Sequence, residues 1–245
     1  MQPIYSKQFT VDGQSVDRFG RLRRSTMLRY AQEVAGEHCA LICMDYDALA
    51  EKGMFWAVVR NRISVTRLPR EGETITVETW PMPTTRTAYP RATAAYDANG
   101  QELFRSVSLW VLMDIRERSM VLPAKSGVEV LGTLRGNELA SPRSLAPKNL
   151  ELTQNRYVSF TDLDINGHMN NARYLDWIDD LLPSEFHRIN QPVEINLCYV
   201  NEAKESDLLA VTYQCENQEL LVDIRRNSGE NSTERVFSAS ISYET

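Results

Sequence analysis

Two segments of this chain carry the same turn. Asp17-Arg18-Phe19-Gly20-Arg21-Leu22-Arg23-Arg24-Ser25 and Asp164-Ile165-Asn166-Gly167-His168-Met169-Asn170-Asn171-Ala172 match in spacing, and Asp and Gly coincide. The hydrophobic pattern around each runs in one order: a strand, a helix, then alternating strands. In the first half a strand pattern covers residues 4–11. A helical stripe follows from about Ser25 to Asp45, made by Leu28, Ala31, Val34, Ala35, His38, Leu41 and Ile42. Phe55-Ala57-Val59, Ile63-Val65 and Ile75-Val77 then alternate, and a long pair at about 86–97 and 101–113 is joined by the hairpin turn Asp97-Ala98-Asn99-Gly100. The second half repeats the order with fewer residues. A short strand is predicted at 157–160, a helix at 171–182, and period-two strands at 193–199, 209–215, 220–224 and 237–243. The pattern predicts an α+β fold of two tandem units, each a long helix wrapped by an antiparallel sheet. Their bounds are 1–138 and 155–245, joined by a linker at 139–154 punctuated by Pro142 and Pro147.

Composition narrows the class. Of 245 residues, 42% are hydrophobic and 24% charged, which suits a globular chain with a sizeable core. The longest apolar runs, such as Met54-Phe55-Trp56-Ala57-Val58-Val59, fall far short of the roughly 20 residues a membrane helix needs. The start, Met1-Gln2-Pro3-Ile4-Tyr5-Ser6-Lys7, has no apolar signal core, so a cytoplasmic location without membrane insertion is expected. A net charge of −6 argues against nucleic-acid binding. Cys39, Cys43, Cys198 and Cys215 fit no zinc spacing, and disulfides are not expected in a cytosolic chain. His38, Cys39 and Cys43 share one predicted helix and read as packing. No metal and no cofactor are called for.

The chemistry is concentrated in the second copy of the turn. Within ten residues stand Asp162, Asp164, Asn166, Asn170, Asn171 and His168, one of only three histidines. Behind them Tyr174, Trp177, Ile178, Leu181 and Leu182 form one apolar helix face. A polar cluster therefore sits at the mouth of a buried helix. A helix start offers free N–H groups and a positive dipole end, which suit a developing oxyanion. Capping alone needs one such residue. In the first copy Phe19 faces Asn166 and Arg21 faces His168, so one half carries a site and the other carries shape.

The pattern Asp164-x-Asn166-x-His168-x-Asn170-Asn171-x-x-Tyr174-x-x-Trp177 resembles the signature of acyl-acyl carrier protein thioesterases, tandem hotdog enzymes of plants and bacteria. Ile75-Thr76-Val77-Glu78-Thr79-Trp80 and Trp110-Val111-Leu112-Met113-Asp114 are similar to family strands. The resemblance implies catalytic roles for Asp164, Asn166 and His168. It places the family's further carboxylate at Glu202, within Tyr199-Val200-Asn201-Glu202-Ala203. Many plant members have Cys where this chain has Ala203, which weighs against a cysteine nucleophile and favours activated water. In that scheme Glu202 is the base, sheltered in a partly apolar cleft that would raise its pKa. His168 orients the water or shares its proton. Asn166 and backbone N–H groups at the helix start polarise the carbonyl, and Asp164 fixes the loop or His168. The half freed from catalysis is expected to shape the acyl pocket with Leu28, Ala31, Val34 and Val58. The implied partner, an acyl carrier protein, is acidic, and the densest basic cluster available to it is Arg18, Arg21, Arg23 and Arg24. The resemblance implies release of free fatty acid from acyl-acyl carrier protein. An acyl-coenzyme A thioesterase is the enzymatic alternative. A non-catalytic acyl-binding hotdog protein is disfavoured by Asn166, His168 and Glu202 standing together. Preferred chain length and oligomeric state stay open, a homodimer included.

Overall fold

The computed structural model describes residues 3–146, 148–229 and 232–245; Met1, Gln2, the linker's Pro147, Glu230 and Asn231 lie outside the described residues. The chain divides into two compact units, Met1–Pro142 and Arg143–Thr245.

In the first unit β1 (Tyr5–Thr10) precedes the long α1 (Arg24–Leu41) and the short α2 (Tyr46–Ala50). Strands β2 (Met54–Val65), β3 (Thr74–Pro81), β4 (Tyr89–Tyr96) and β5 (Glu102–Asp114) follow, then β6 (Met120–Val121) and α3 (Pro123–Ser126). The antiparallel sheet runs β1-β3-β4-β5-β2, with β6 on β5. The β4–β5 turn forms as its sequence dictates. The Asp97 carboxylate accepts the Asn99 and Gln101 N–H groups, at 2.9 Å each. Gly100 takes the positive φ of 76° that closes the turn. Helix α1 packs on β3 and β1 and turns Leu28, Val34, Ala35 and His38 inward. Two predictions need correction. Leu41 is 61% exposed rather than part of the stripe. The helix also stops short of Asp45, because Cys43 adopts φ 55° and the Asp45 side chain caps α2 through the Ala48 N–H.

The second unit contains β7 (Leu152–Tyr157), a 3₁₀ turn (Phe160–Asp162), α4 (Arg173–Asp179) and α5 (Ser184–Ile189). Strands β8 (Gln191–Tyr199), β9 (Leu208–Glu216), β10 (Glu219–Gly229) and β11 (Ser232–Glu244) complete it. Its antiparallel sheet runs β8-β11-β10-β9-β7. The strand expected at 157–160 lies earlier. It begins at Leu152, inside the expected linker, and pairs with β9 from Leu152↔Tyr213 to Tyr157↔Leu208. The apolar residues that suggested the later position, Tyr157 and Phe160, are 64% and 77% exposed. At Ser159 a capping box with Asp162 turns the chain instead. Helix α5 buries nothing, so it leaves no apolar stripe to read. Helix α4 is shorter than predicted and buries Tyr174, Leu175, Trp177 and Ile178. Tyr174 stacks on Phe237 of β11 at 4.4 Å and meets Tyr199 of β8 edge-on at 5.8 Å. Such pairs contribute about 0.5–1.5 kcal/mol beyond their buried area. Among the described residues no helix is long and apolar enough to cross a membrane.

Candidate active site

The turn at 164–169 is built around one carboxylate. Asp164 Oδ1 accepts the N–H groups of Asn166 (2.8 Å) and His168 (3.3 Å). The Asp164 N–H returns to the His168 carbonyl at 2.8 Å, and the Gly167 N–H reaches the Asp164 carbonyl at 3.0 Å. Gly167 has φ 75°, a conformation that costs an L-residue roughly 1–2 kcal/mol. Leu163 bridges Met169 across the turn. The closed turn is then sewn to the loop after β8. The Met169 N–H donates to the Ala203 carbonyl at 2.8 Å, and His168 bridges Lys204.

That seam brings the His168 and Glu202 side chains together. His168 Nε2 lies 3.2 Å from Glu202 Oε2, with side-chain exposures of 21% and 43%. The apolar shelter expected for Glu202 is therefore not found. What stands beside the carboxylate is the imidazole, and water reaches both. Asn166 is exposed at the loop tip, its amide nitrogen 3.5 Å from Asp164 Oδ2. The expected oxyanion donors at the helix start need revision. The Ala172 N–H donates to Asn170 Oδ1 and the Arg173 N–H to the Asn170 carbonyl, both at 2.9 Å. Those two groups are spent inside the turn, which leaves Asn166 as the side-chain donor of that assignment.

Around these residues stands a brace that motif reading did not find. Arg226 of β10 donates through Nη1 to the Glu202 carbonyl (3.2 Å) and to Asp207 Oδ2 (2.6 Å). Its Nη2 bonds Glu234. Asp207 Oδ2 also accepts the Lys204 N–H at 2.9 Å. In sequence Arg226 reads as one more solvated strand residue, and nothing local marks it. Asp162, 4% exposed, is structural. It accepts the Ser159 N–H at 3.0 Å and two Arg173 nitrogens at 3.2 Å each. Tyr199 Oη ties the Asn171 carbonyl to β8 at 3.2 Å. Ala203 is 1% exposed.

The first unit repeats the backbone and not the chemistry. Asp17 Oδ1 accepts the Phe19 and Arg21 N–H groups at 2.8 and 3.1 Å. Gly20 has φ 70°, and Val16 bridges Leu22. The Leu22 N–H donates to the Pro69 carbonyl at 2.7 Å, and Arg21 bridges Arg70. This register puts Leu68, 8% exposed, where the second unit has Glu202. The Arg21 side chain folds back on Asp17 at 2.9 Å and over the Phe19 ring at 5.0 Å. The basic cluster is accordingly halved. Arg21 and Arg24 are 8% and 4% exposed, and Arg18 and Arg23 alone of the four reach solvent.

The first unit also holds a cavity of about 180 Å³, lined on α1 by Gln32, Ala35, Gly36 and Cys39 and across from it by Trp56, Tyr89, Arg91 and Trp110. Leu28, Ala31, Val34 and Val58, the expected pocket residues, are not on its wall. Leu28, Val34 and Val58 are 3%, 0% and 7% exposed and fill the core; Ala31 is half-buried. Space opens along the flank of the stripe, where Ala35 and Gly36 are too small to close it.

A palmitoyl-acyl carrier protein thioesterase of Cuphea hookeriana is 25% identical over 228 residues, covering 85% of this chain and 54% of that protein. The chain thus spans about half the length of the curated relatives it matches. A crystal structure of an acyl-ACP thioesterase from Bacteroides thetaiotaomicron shares the fold at TM-score 0.86, with 24% identity and coverage of 99% of this chain and 98% of that one. The 12:0-ACP thioesterase of Umbellularia californica does so at 0.83, with 19% identity and coverage of 100% and 98%. These matches identify the two helix-and-sheet units as tandem hotdogs. The family model for the acyl-ACP thioesterase N-terminal domain matches residues 2–125 and that for the C-terminal domain residues 146–244, and the chain belongs to the acyl-ACP thioesterase family.

Proposed function

We propose that this chain hydrolyses the thioester of an acyl group carried on acyl carrier protein and releases the free fatty acid. The observation that supports this most is the His168–Glu202 contact at 3.2 Å, on a turn bearing the family pattern. Glu202 takes a proton from water, and the water oxygen attacks the thioester carbonyl carbon. The developing oxyanion is met by the Asn166 carboxamide. His168 orients the water, takes that proton on from Glu202 across their contact and delivers it to the leaving sulfur as the C–S bond breaks, so both side chains end in their starting states. Asp164 shapes the turn through its two backbone acceptor contacts and does not touch substrate. No cysteine is needed: Ala203 offers no nucleophile, and buried Cys198 donates to the Arg143 carbonyl at 3.5 Å.

The acyl tail is assigned to the first unit's cavity, with α1 as one wall. Each methylene buried there contributes about 0.8 kcal/mol. Chain length should therefore respond to Ala35 and Gly36 more than to Ala31 and Val34. For an acidic carrier, Arg18 and Arg23 are the members of the basic cluster open to contact. The deciding experiment compares hydrolysis of acyl-acyl carrier protein and acyl-coenzyme A over a range of chain lengths. Preference for the carrier-protein thioesters is expected. Turnover confined to coenzyme A esters would reassign the substrate, and no turnover of either would leave an acyl-binding protein.

A further inference from the structure

The cavity of the first unit is apolar almost throughout, with Ala35, Ile42, Trp56, Tyr89 and Trp110 on its wall. Arg91 lines it too and is 7% exposed. Its guanidinium contacts neutral groups. Nη1 lies 3.1 Å from His38 Nδ1 and 3.3 Å from Thr79 Oγ1, and Nη2 lies 3.4 Å from Cys39 Sγ. Since arginine only donates, His38 Nδ1 is an acceptor here and the ring is neutral. Burial pushes the Cys39 thiol up, against the pull of Arg91, so it stays protonated. Asp45, a carboxylate on the same wall, caps α2 through the Ala48 N–H. Of the five guanidinium N–H groups, these contacts use three. Two donors on a buried cation remain without a protein acceptor among the described residues.

A buried charge is stable when it is paired and hydrogen-bonded. A plain hydrocarbon tail would supply neither and would leave both donors facing methylenes. An oxygen would supply an acceptor, and a carboxylate a two-pronged one. We propose that this cavity selects acyl chains carrying an acceptor oxygen, hydroxyl or carboxylate, near the tail end, with Arg91 as the specificity-determining residue. The proposal rests on the reading that the cavity holds the acyl tail of a thioester substrate. Sites that hydrogen-bond a ligand oxygen reject the analogue lacking it far more strongly than apolar pockets reject a methylene.

The test is equilibrium binding of methyl dodecanoate, its ω-hydroxy derivative and monomethyl dodecanedioate to the full chain. The ester head removes the head carboxylate from competition. The oxygen-tailed esters should bind at least about tenfold tighter than the plain one, as expected for a hydrogen bond to a charged group. A plain ester bound as tightly as the others overturns the proposal, and that ordering needs no variant. Arg91→Met should level the three affinities; a folded Arg91→Met that keeps the preference also overturns it. If Arg91→Met does not fold, Arg91→Lys is read in its place, and a preference for the dicarboxylate undiminished by loss of the fork counts against the assignment. Binding requires no turnover. Failure of hydrolysis on every acyl-acyl carrier protein would thus strike the thioesterase reading, whereas failure of the ordering strikes this one.

Discussion

In the first unit the turn at residues 17–22 closes on itself. Asp17 holds two backbone N–H groups and also captures the Arg21 guanidinium, which lies over Phe19. In the second unit the turn at 164–169 has the same backbone contacts, but its histidine reaches outward to Glu202. Leu68 closes the corresponding place in the first unit. Under the proposed mechanism, shape and reactivity are therefore separable in this fold. The aspartate and glycine make the turn in both copies. The copies differ at the residue two after the aspartate, the residue four after it, and one side chain on the loop that anchors the turn, and the proposed chemistry is assigned to those three positions.

The largest effect should come from Glu202→Gln. Removal of a general base costs on the order of 10²-fold or more in the chemical step, with melting temperature nearly unchanged because the side chain is 43% exposed. Full turnover by the folded variant would remove Glu202 from the mechanism. Next come Asp17→Ala and Asp164→Ala. Each strips two backbone N–H groups of their acceptor and should destabilise by about 1–3 kcal/mol in urea titrations. Turnover per folded molecule should fall for Asp164→Ala alone; equal losses would mean that the first turn takes part in catalysis. Gly20→Ala and Gly167→Ala are a gentler form of the same comparison. An added Cβ meets no atom within 4 Å at either position, so the cost is backbone strain of about 1–2 kcal/mol. The two losses should agree closely, and a large disagreement would show that the turns are not equivalent. The smallest effect belongs to the thiols. Cys43 is exposed and should alkylate first with turnover kept. Substrate-protected inactivation traced to any cysteine would contradict the water mechanism.

How much of this was legible in the sequence follows from which residues face inward. The paired turns were readable because in both copies the Asp accepts the turn's N–H groups and the Gly takes its positive φ. The strands of the second sheet were readable because one face is buried, which forces alternation. Tyr157 ends β7, and Phe160 misled because an apolar residue facing solvent imitates a strand. Helix α5 left no stripe because nothing on it is buried. At the site, His168 and Glu202 were predicted together and are in contact. Arg226 was missed, since its role depends on register between β10 and the loop after β8, which no local spacing encodes. The cavity was not legible for a related reason: Leu28, Val34 and Val58 fill space, and the cavity lies beside small residues such as Ala35 and Gly36. Arg21 and Arg24 look like a basic patch by count alone, yet both are buried.

A matched pair at the position four residues after the aspartate separates a turn that is inert in the first unit from one that is reactive in the second. Arg21→Gln and His168→Gln would be compared by single-turnover hydrolysis of acyl-acyl carrier protein alongside melting temperature. Arg21→Gln breaks the contact with Asp17 and should lower the melting temperature while leaving the chemical step intact. His168→Gln should do the reverse, slowing the chemical step on the order of 10²-fold with little change in melting. A chemical step slowed equally by both, or by neither, would mean that the two turns do not divide shape from reactivity.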